Sequence, residues 1–129
     1  MSNEKAIAMA KVAAMTMVID LDDTICTTEN RDYSASKPIW PIINKMREAR
    51  EKGWKIIIHT ARGQGRSNGD IESVREAVEG EVIALLEKYK VPYDEIIIGK
   101  PWAALYVDDK AMTPSAFAYL DLDEHKPKL

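Results

Sequence analysis

The stretch Met17-Val18-Ile19-Asp20-Leu21-Asp22-Asp23-Thr24 decides the fold. A short apolar run gives way abruptly to acidic and hydroxyl side chains, as a buried strand does where it leaves its sheet. Two later runs end the same way. Trp54 to His59 holds Ile56-Ile57-Ile58 and continues into Thr60-Ala61-Arg62, and Ile96-Ile97-Ile98 continues into Gly99-Lys100-Pro101. Leu105-Tyr106-Val107 reads as a fourth strand, closed by Asp108-Asp109.

Helical signals lie between these strands. Pro38 suits a first helical turn preceded by Ser36 or Lys37, Ile39, Ile42, Ile43 and Met46 fall on one face, and Gly53 stops the helix. Asp70 can cap a second helix carrying Ile71, Val74, Val78, Val82, Leu85, Leu86 and Tyr89, which Gly80 weakens. Thr113-Pro114 opens a last helix toward Leu120. Strands alternating with helices predict an α/β chain: a single Rossmann-like, three-layer domain whose parallel central sheet is covered on both faces. The expected organisation is an N-terminal extension or short helix over 1–16, the domain over 17–120 and a charged, frayed tail over 121–129.

Composition narrows the class. A chain of 129 residues fits one domain, because two cores would each be too small to stand alone. Hydrophobic residues at 46% and charged residues at 30% are ordinary for a globular protein, and a net charge of −3 gives no overall pull toward nucleic acid or membrane. No apolar run reaches the roughly 18 residues a membrane span needs. The single cysteine, Cys26, cannot form an internal disulfide, which suits a reducing, cytoplasmic setting.

The strand ends carry the chemistry. In a parallel sheet they point the same way, so Asp20, Asp22, Asp108 and Asp109 are expected to gather at one edge beside Thr60 and Lys100. Such a cluster repels itself, and a divalent cation with hard oxygen ligands relieves the conflict; magnesium suits a few carboxylates plus a substrate phosphate.

These residues, in this order, resemble the haloacid dehalogenase superfamily of phosphatases: Asp20-x-Asp22-x-Thr24, then Thr60, then Lys100, then Asp108-Asp109, over roughly residues 17–120. The resemblance implies that Asp20 is the nucleophile, forming an aspartyl-phosphate, and that Asp22 is the general acid and then base, a role that supplies about 10²–10⁴-fold in rate. It implies that Thr60 and Lys100 hold the phosphoryl group. Magnesium would take a carboxylate oxygen of Asp20, the backbone carbonyl of Asp22 and Asp108, with Asp109 acting through a water. Asp22 points to phosphate chemistry, because the dehalogenase branch lacks that second aspartate. Asp23 stands where many relatives have glycine, a change expected to affect the local turn.

Arg62 and Arg66, in or near the loop after Thr60, are candidate contacts for a second anionic group on the substrate, or else solvated loop residues. His59 is expected to be a core histidine beside the site. Neither the stretch between Thr24 and Pro38 nor the Gly63–Gly69 loop can house a folded cap domain. The chain is therefore expected to resemble the small capless branch, with an open site that a homo-oligomeric partner helps to shield. The implied activity is hydrolysis of a small phosphorylated metabolite such as a sugar phosphate or nucleotide. The alternative is a polynucleotide end phosphatase, which the open site and the arginine-bearing loop also resemble. A third reading is a phosphate- or partner-binding protein without turnover.

Overall fold

A computed structural model describes residues 2–29, 35–64 and 70–126. Among the described residues the elements run α1 (Asn3–Ala14), β1 (Thr16–Ile19), β2 (Cys26–Thr27), β3 (Lys37–Pro38), α2 (Trp40–Glu51), β4 (Lys55–Thr60), a 3-10 turn (Ile71–Ser73), α3 (Arg75–Lys88), β5 (Glu95–Ile98) and α4 (Pro114–Ala118). β1, β4 and β5 form a parallel sheet in the order β1-β4-β5, and β2 and β3 form a small antiparallel pair. The chain is thus an α/β domain with a parallel central sheet flanked by helices, in a Rossmann-like arrangement without a cap.

The core forms on one side of the sheet. Ile19, Ile56, Ile58 and Ile98 are buried, and the helices close over them with Ile42, Ile43 and Met46 from α2 and Val78, Val82 and Leu86 from α3. The spacings within each helix set are helical, so a single face of each is apolar. α2 ends by a left-handed cap: Gly53 has φ 92°, its amide donates to the Arg50 carbonyl at 3.1 Å, and the Trp54 amide donates to the Ala49 carbonyl at 3.0 Å. That paired pattern satisfies two carbonyls the helix end would otherwise orphan, and glycine adopts it without a Cβ penalty.

Several expectations need correction. Leu105–Val107 is not a strand: these residues lie exposed, Val107 at 91%, so β1 is an edge of the sheet among the described residues. Because α2 and α3 cover one face of the sheet, the isoleucine-rich runs alternate between inward and outward positions, and Val18 on the outward face is 60% exposed. Pro38 belongs to β3; α2 begins two residues later with Pro41 in its first turn and Ile39 as its cap. Asp70 does not cap α3: its carbonyl accepts from the amide and hydroxyl of Ser73, closing the 3-10 turn, and α3 starts only at Arg75. The start of the tail, residues 120–123, is tied down rather than frayed. Leu122 is buried, Lys45 Nζ donates to the Leu120 carbonyl at 2.6 Å, and Lys52 meets Asp123 at 2.6 Å. Thr113 does cap α4, its hydroxyl accepting from the Ala116 amide at 3.2 Å. The extension over 1–16 holds α1, none of whose residues is buried, and β1 begins inside it at Thr16.

Candidate active site

Strand register brings the site together. Ile19 pairs with Ile58 and Thr60 with Ile98, so the carboxyl ends of β1, β4 and β5 lie level. Asp20 follows directly on β1, Thr60 closes β4, and Gly99-Lys100 follow β5. The Thr60 carbonyl accepts from the amides of both Gly99 (3.1 Å) and Lys100 (3.0 Å), and Gly99 has φ 106°, a conformation that suits glycine. This turn aims Lys100 at β1, where its Nζ stands 3.5 Å from Asp20 Oδ1. Thr24 donates its hydroxyl to Asp20 Oδ2 at 3.3 Å. Burial raises the Asp20 carboxyl above its ordinary value, while Lys100 and the Leu21 amide pull it back.

Asp22 lies beside this centre in a different environment. Arg62 approaches it as a fork: Nη2 donates to Oδ1 at 2.6 Å and Nε to Oδ2 at 3.2 Å. Arg62 is only 3% exposed, so it is a buried guanidinium on Asp22 rather than a loop arginine facing solvent. Thr28 also donates to Asp22 Oδ1, at 2.6 Å, and its oxygen lies 3.3 Å from Ser36 Oγ, which accepts from Arg62 Nη2 at 3.3 Å. An ionised carboxylate only accepts, so the Thr28 proton goes to Asp22 and Ser36 then donates to Thr28. The result is a closed ring of polar contacts around one carboxylate. Thr60 is buried, with its Oγ1 accepting from the Arg62 amide at 3.0 Å, which leaves its own proton free to be donated.

The acidic pair does not join them. Asp108 is exposed and accepts from the Lys110 amide at 2.8 Å, and Asp109 is exposed next to it. Among the described residues no three histidine, cysteine or acidic groups lie together in a way that could hold a metal. Asp20 is a hard oxygen donor of the kind magnesium takes, but the donor set around it is incomplete. The cause is the missing fourth strand, since Asp108 was expected to arrive at its end. Arg66 lies outside the described residues. His59 is half-buried, and burial together with nearby Lys100 lowers its pKa.

Three participants were not legible as such in the sequence. Thr28 and Ser36 sit in the irregular polar stretch after the first strand, where no periodicity marks a residue that will turn inward. Tyr106 was read only as strand core, yet its ring lies 4.4 Å from Lys100 Nζ, a cation–π contact at the site.

No family model and no curated protein matches the chain. Solved structures do. A structural-genomics target from Vibrio cholerae is 35% identical, with a TM-score of 0.79 over 84% of this chain and 91% of that one. This chain belongs to the same family as that Vibrio cholerae protein. Two more distant structures extend the likeness of fold. One is from the Pnkp1/Rnl/Hen1 complex, 21% identical with a TM-score of 0.51 over 83% of this chain and 35% of that one. The other is from the Pnkp1/Rnl/Hen1 RNA repair complex, 18% identical with a TM-score of 0.50 over 82% and 30%. What the chain shares with these two is the fold: an α/β domain built around a parallel sheet.

Proposed function

We propose that this chain is a phosphoric monoester hydrolase in which the Asp20 carboxylate attacks phosphorus as the ester P–O bond breaks. The observation that carries the reading is the level meeting of Asp20, Lys100 and Thr60 at three parallel strand ends, with Lys100 3.5 Å from the nucleophile. Lys100 is a compact positive charge shared between Asp20 and an incoming phosphate, and Thr60 has a hydroxyl proton to give to a phosphoryl oxygen. Asp22 protonates the leaving oxygen. It then takes the proton from the water that hydrolyses the aspartyl-phosphate.

The substrate we favour is a phosphorylated polynucleotide end. Its support is an uncapped strand-end site, together with a fold neighbour that comes from an assembly described as an RNA repair complex. A small phosphorylated metabolite is the second reading, favoured by the net charge of −3, which offers a polyanion no general attraction. Magnesium would be held by Asp20, the Asp22 carbonyl and, were residues 105–107 to pair on the edge of β1, by Asp108, with Asp109 through water; it would supply positive charge between carboxylate and phosphate.

The test measures phosphate release, with and without magnesium, from 3′-phosphorylated oligonucleotides and from sugar phosphates. Asp20→Asn is expected to lose about 10⁴-fold or more, as removal of a covalent nucleophile does in other hydrolases. Turnover that survives in Asp20→Asn would sink the reading.

A further inference from the structure

We propose that Arg62 is a positioning residue for the proton-transfer step, holding Asp22 so that Oδ2, and not Oδ1, exchanges the proton. The inference rests on the phosphatase reading above and goes beyond it, by assigning the buried guanidinium a task and the carboxylate a working atom.

The two oxygens of Asp22 are not equivalent. Oδ1 receives two short bonds, 2.6 Å from Arg62 Nη2 and 2.6 Å from the Thr28 hydroxyl, and Cys26 Sγ stands 4.0 Å away. Among the described residues Oδ2 receives only Arg62 Nε, at 3.2 Å. A carboxylate oxygen accepts about two hydrogen bonds in its plane, so Oδ1 is filled and Oδ2 keeps one lone pair. The Asp22 side chain is 24% exposed while that of Arg62 is 1% exposed. The open part of the carboxylate therefore faces out of the ring and Arg62 backs it from within. In the first half-reaction the proton leaves Oδ2 for the ester oxygen as the P–O bond breaks. In the second, water oxygen bonds to phosphorus as the bond from phosphorus to the Asp20 carboxylate breaks, and the water's proton returns to Oδ2.

The fork is what a lysine cannot reproduce. A single ammonium at this depth keeps the charge but bonds one oxygen at a time, so the carboxylate is free to rotate. Cys26 and Ser36, which Arg62 Nη2 also meets at 3.9 and 3.3 Å, hold the guanidinium itself in plane.

Leaving-group dependence separates this role from a structural or phosphate-binding one. An alkyl phosphate needs its leaving oxygen protonated, whereas a dinitrophenyl phosphate does not. The full chain and its Arg62→Lys variant are compared on both esters for the step that releases the alcohol, read as the first-turnover burst. The variant is expected to lose about 10²-fold on the alkyl ester and less than about threefold on the aryl ester. Placing Arg62→Lys on top of Asp22→Asn is expected to cost nothing further, because the residue acts only through Asp22. Thermal melts run alongside identify a variant that has failed to fold, and Thr28→Val, which frees Oδ1 without touching the fork, then serves in its place with a loss on the alkyl ester alone. Equal losses on the two esters, no loss on either, or additivity with Asp22→Asn overturns the assignment while leaving the phosphatase reading intact. A wild-type chain that releases phosphate from neither ester, nor from a 3′-phosphorylated oligonucleotide or a sugar phosphate, overturns the phosphatase reading itself, and this one with it.

Discussion

Asp23 and Cys26 show how single residues close to Asp20 take on opposite constraints. Asp23 holds φ 61°, its amide donates to the Cys26 carbonyl at 2.6 Å, and its own Oδ1 accepts from the Thr28 amide at 3.4 Å. Aspartate tolerates this left-handed turn better than most side chains. Cys26 is buried against the same turn, and burial together with the negative charge of Asp22 pushes its thiol up to about 11. The folded state holds that proton more tightly than the unfolded state. Its stabilising contribution is therefore complete below about 9 and is lost as pH rises through about 11. Native protein is expected to resist iodoacetamide at pH 8 and to react promptly once denatured, with incorporation followed by mass spectrometry. Rapid labelling of folded protein at that pH would show a different environment. His59 is the opposite case, its pKa lowered by burial and Lys100. Stability tied to neutral His59 is present above about 6.5, the unfolded value, and is lost as pH falls through the lower folded value.

Among the elements, the loop after β5 does most to build the site. Gly99, at φ 106°, turns the chain so that Lys100 leaves the sheet toward Asp20. A Cβ at such an angle costs roughly 1–2 kcal/mol. Gly99→Ala is therefore expected to lower the melting temperature by several degrees, and to lower turnover further than the instability explains, because Lys100 is the next residue. Calorimetry and steady-state kinetics on the same sample check both parts. Helix content was legible because Ile42, Ile43 and Met46, and Val78, Val82 and Leu86, repeat at helical spacing and are buried as that spacing demands. The starts of α2 and α3 were not. Whether Pro38 joins a strand or a helix depends on its pairing with Cys26, a contact twelve residues away. The start of α3 was displaced by the 3-10 turn at Ser73, which competes locally for the Asp70 carbonyl.

Across the whole molecule, apolar surface is unevenly covered. Leu105, Tyr106, Val107, Met112 and Tyr119 are exposed, as are Ile7, Met9 and Val12 on α1, and Val18 and Ile97 face outward from the sheet. So much exposed apolar area on a small chain is expected to drive self-association, in keeping with an open site shielded by a neighbouring copy. Light scattering at micromolar concentration is expected to give a mass above that of one chain, and a monomeric mass would refute it. No described helix is long and apolar enough to cross a membrane. The sequence by itself determined the α/β class, the parallel sheet and the places of Asp20, Thr60 and Lys100 at strand ends, because apolar periodicity and strand-end chemistry are local properties of the chain. Only the tertiary structure decided that Arg62 is buried on Asp22, that Thr28 and Ser36 complete its ring, and that Asp108 lies exposed after a segment that forms no strand. Those outcomes depend on which backbone segments pair and how deeply they lie, and both are settled by contacts between residues far apart in the chain.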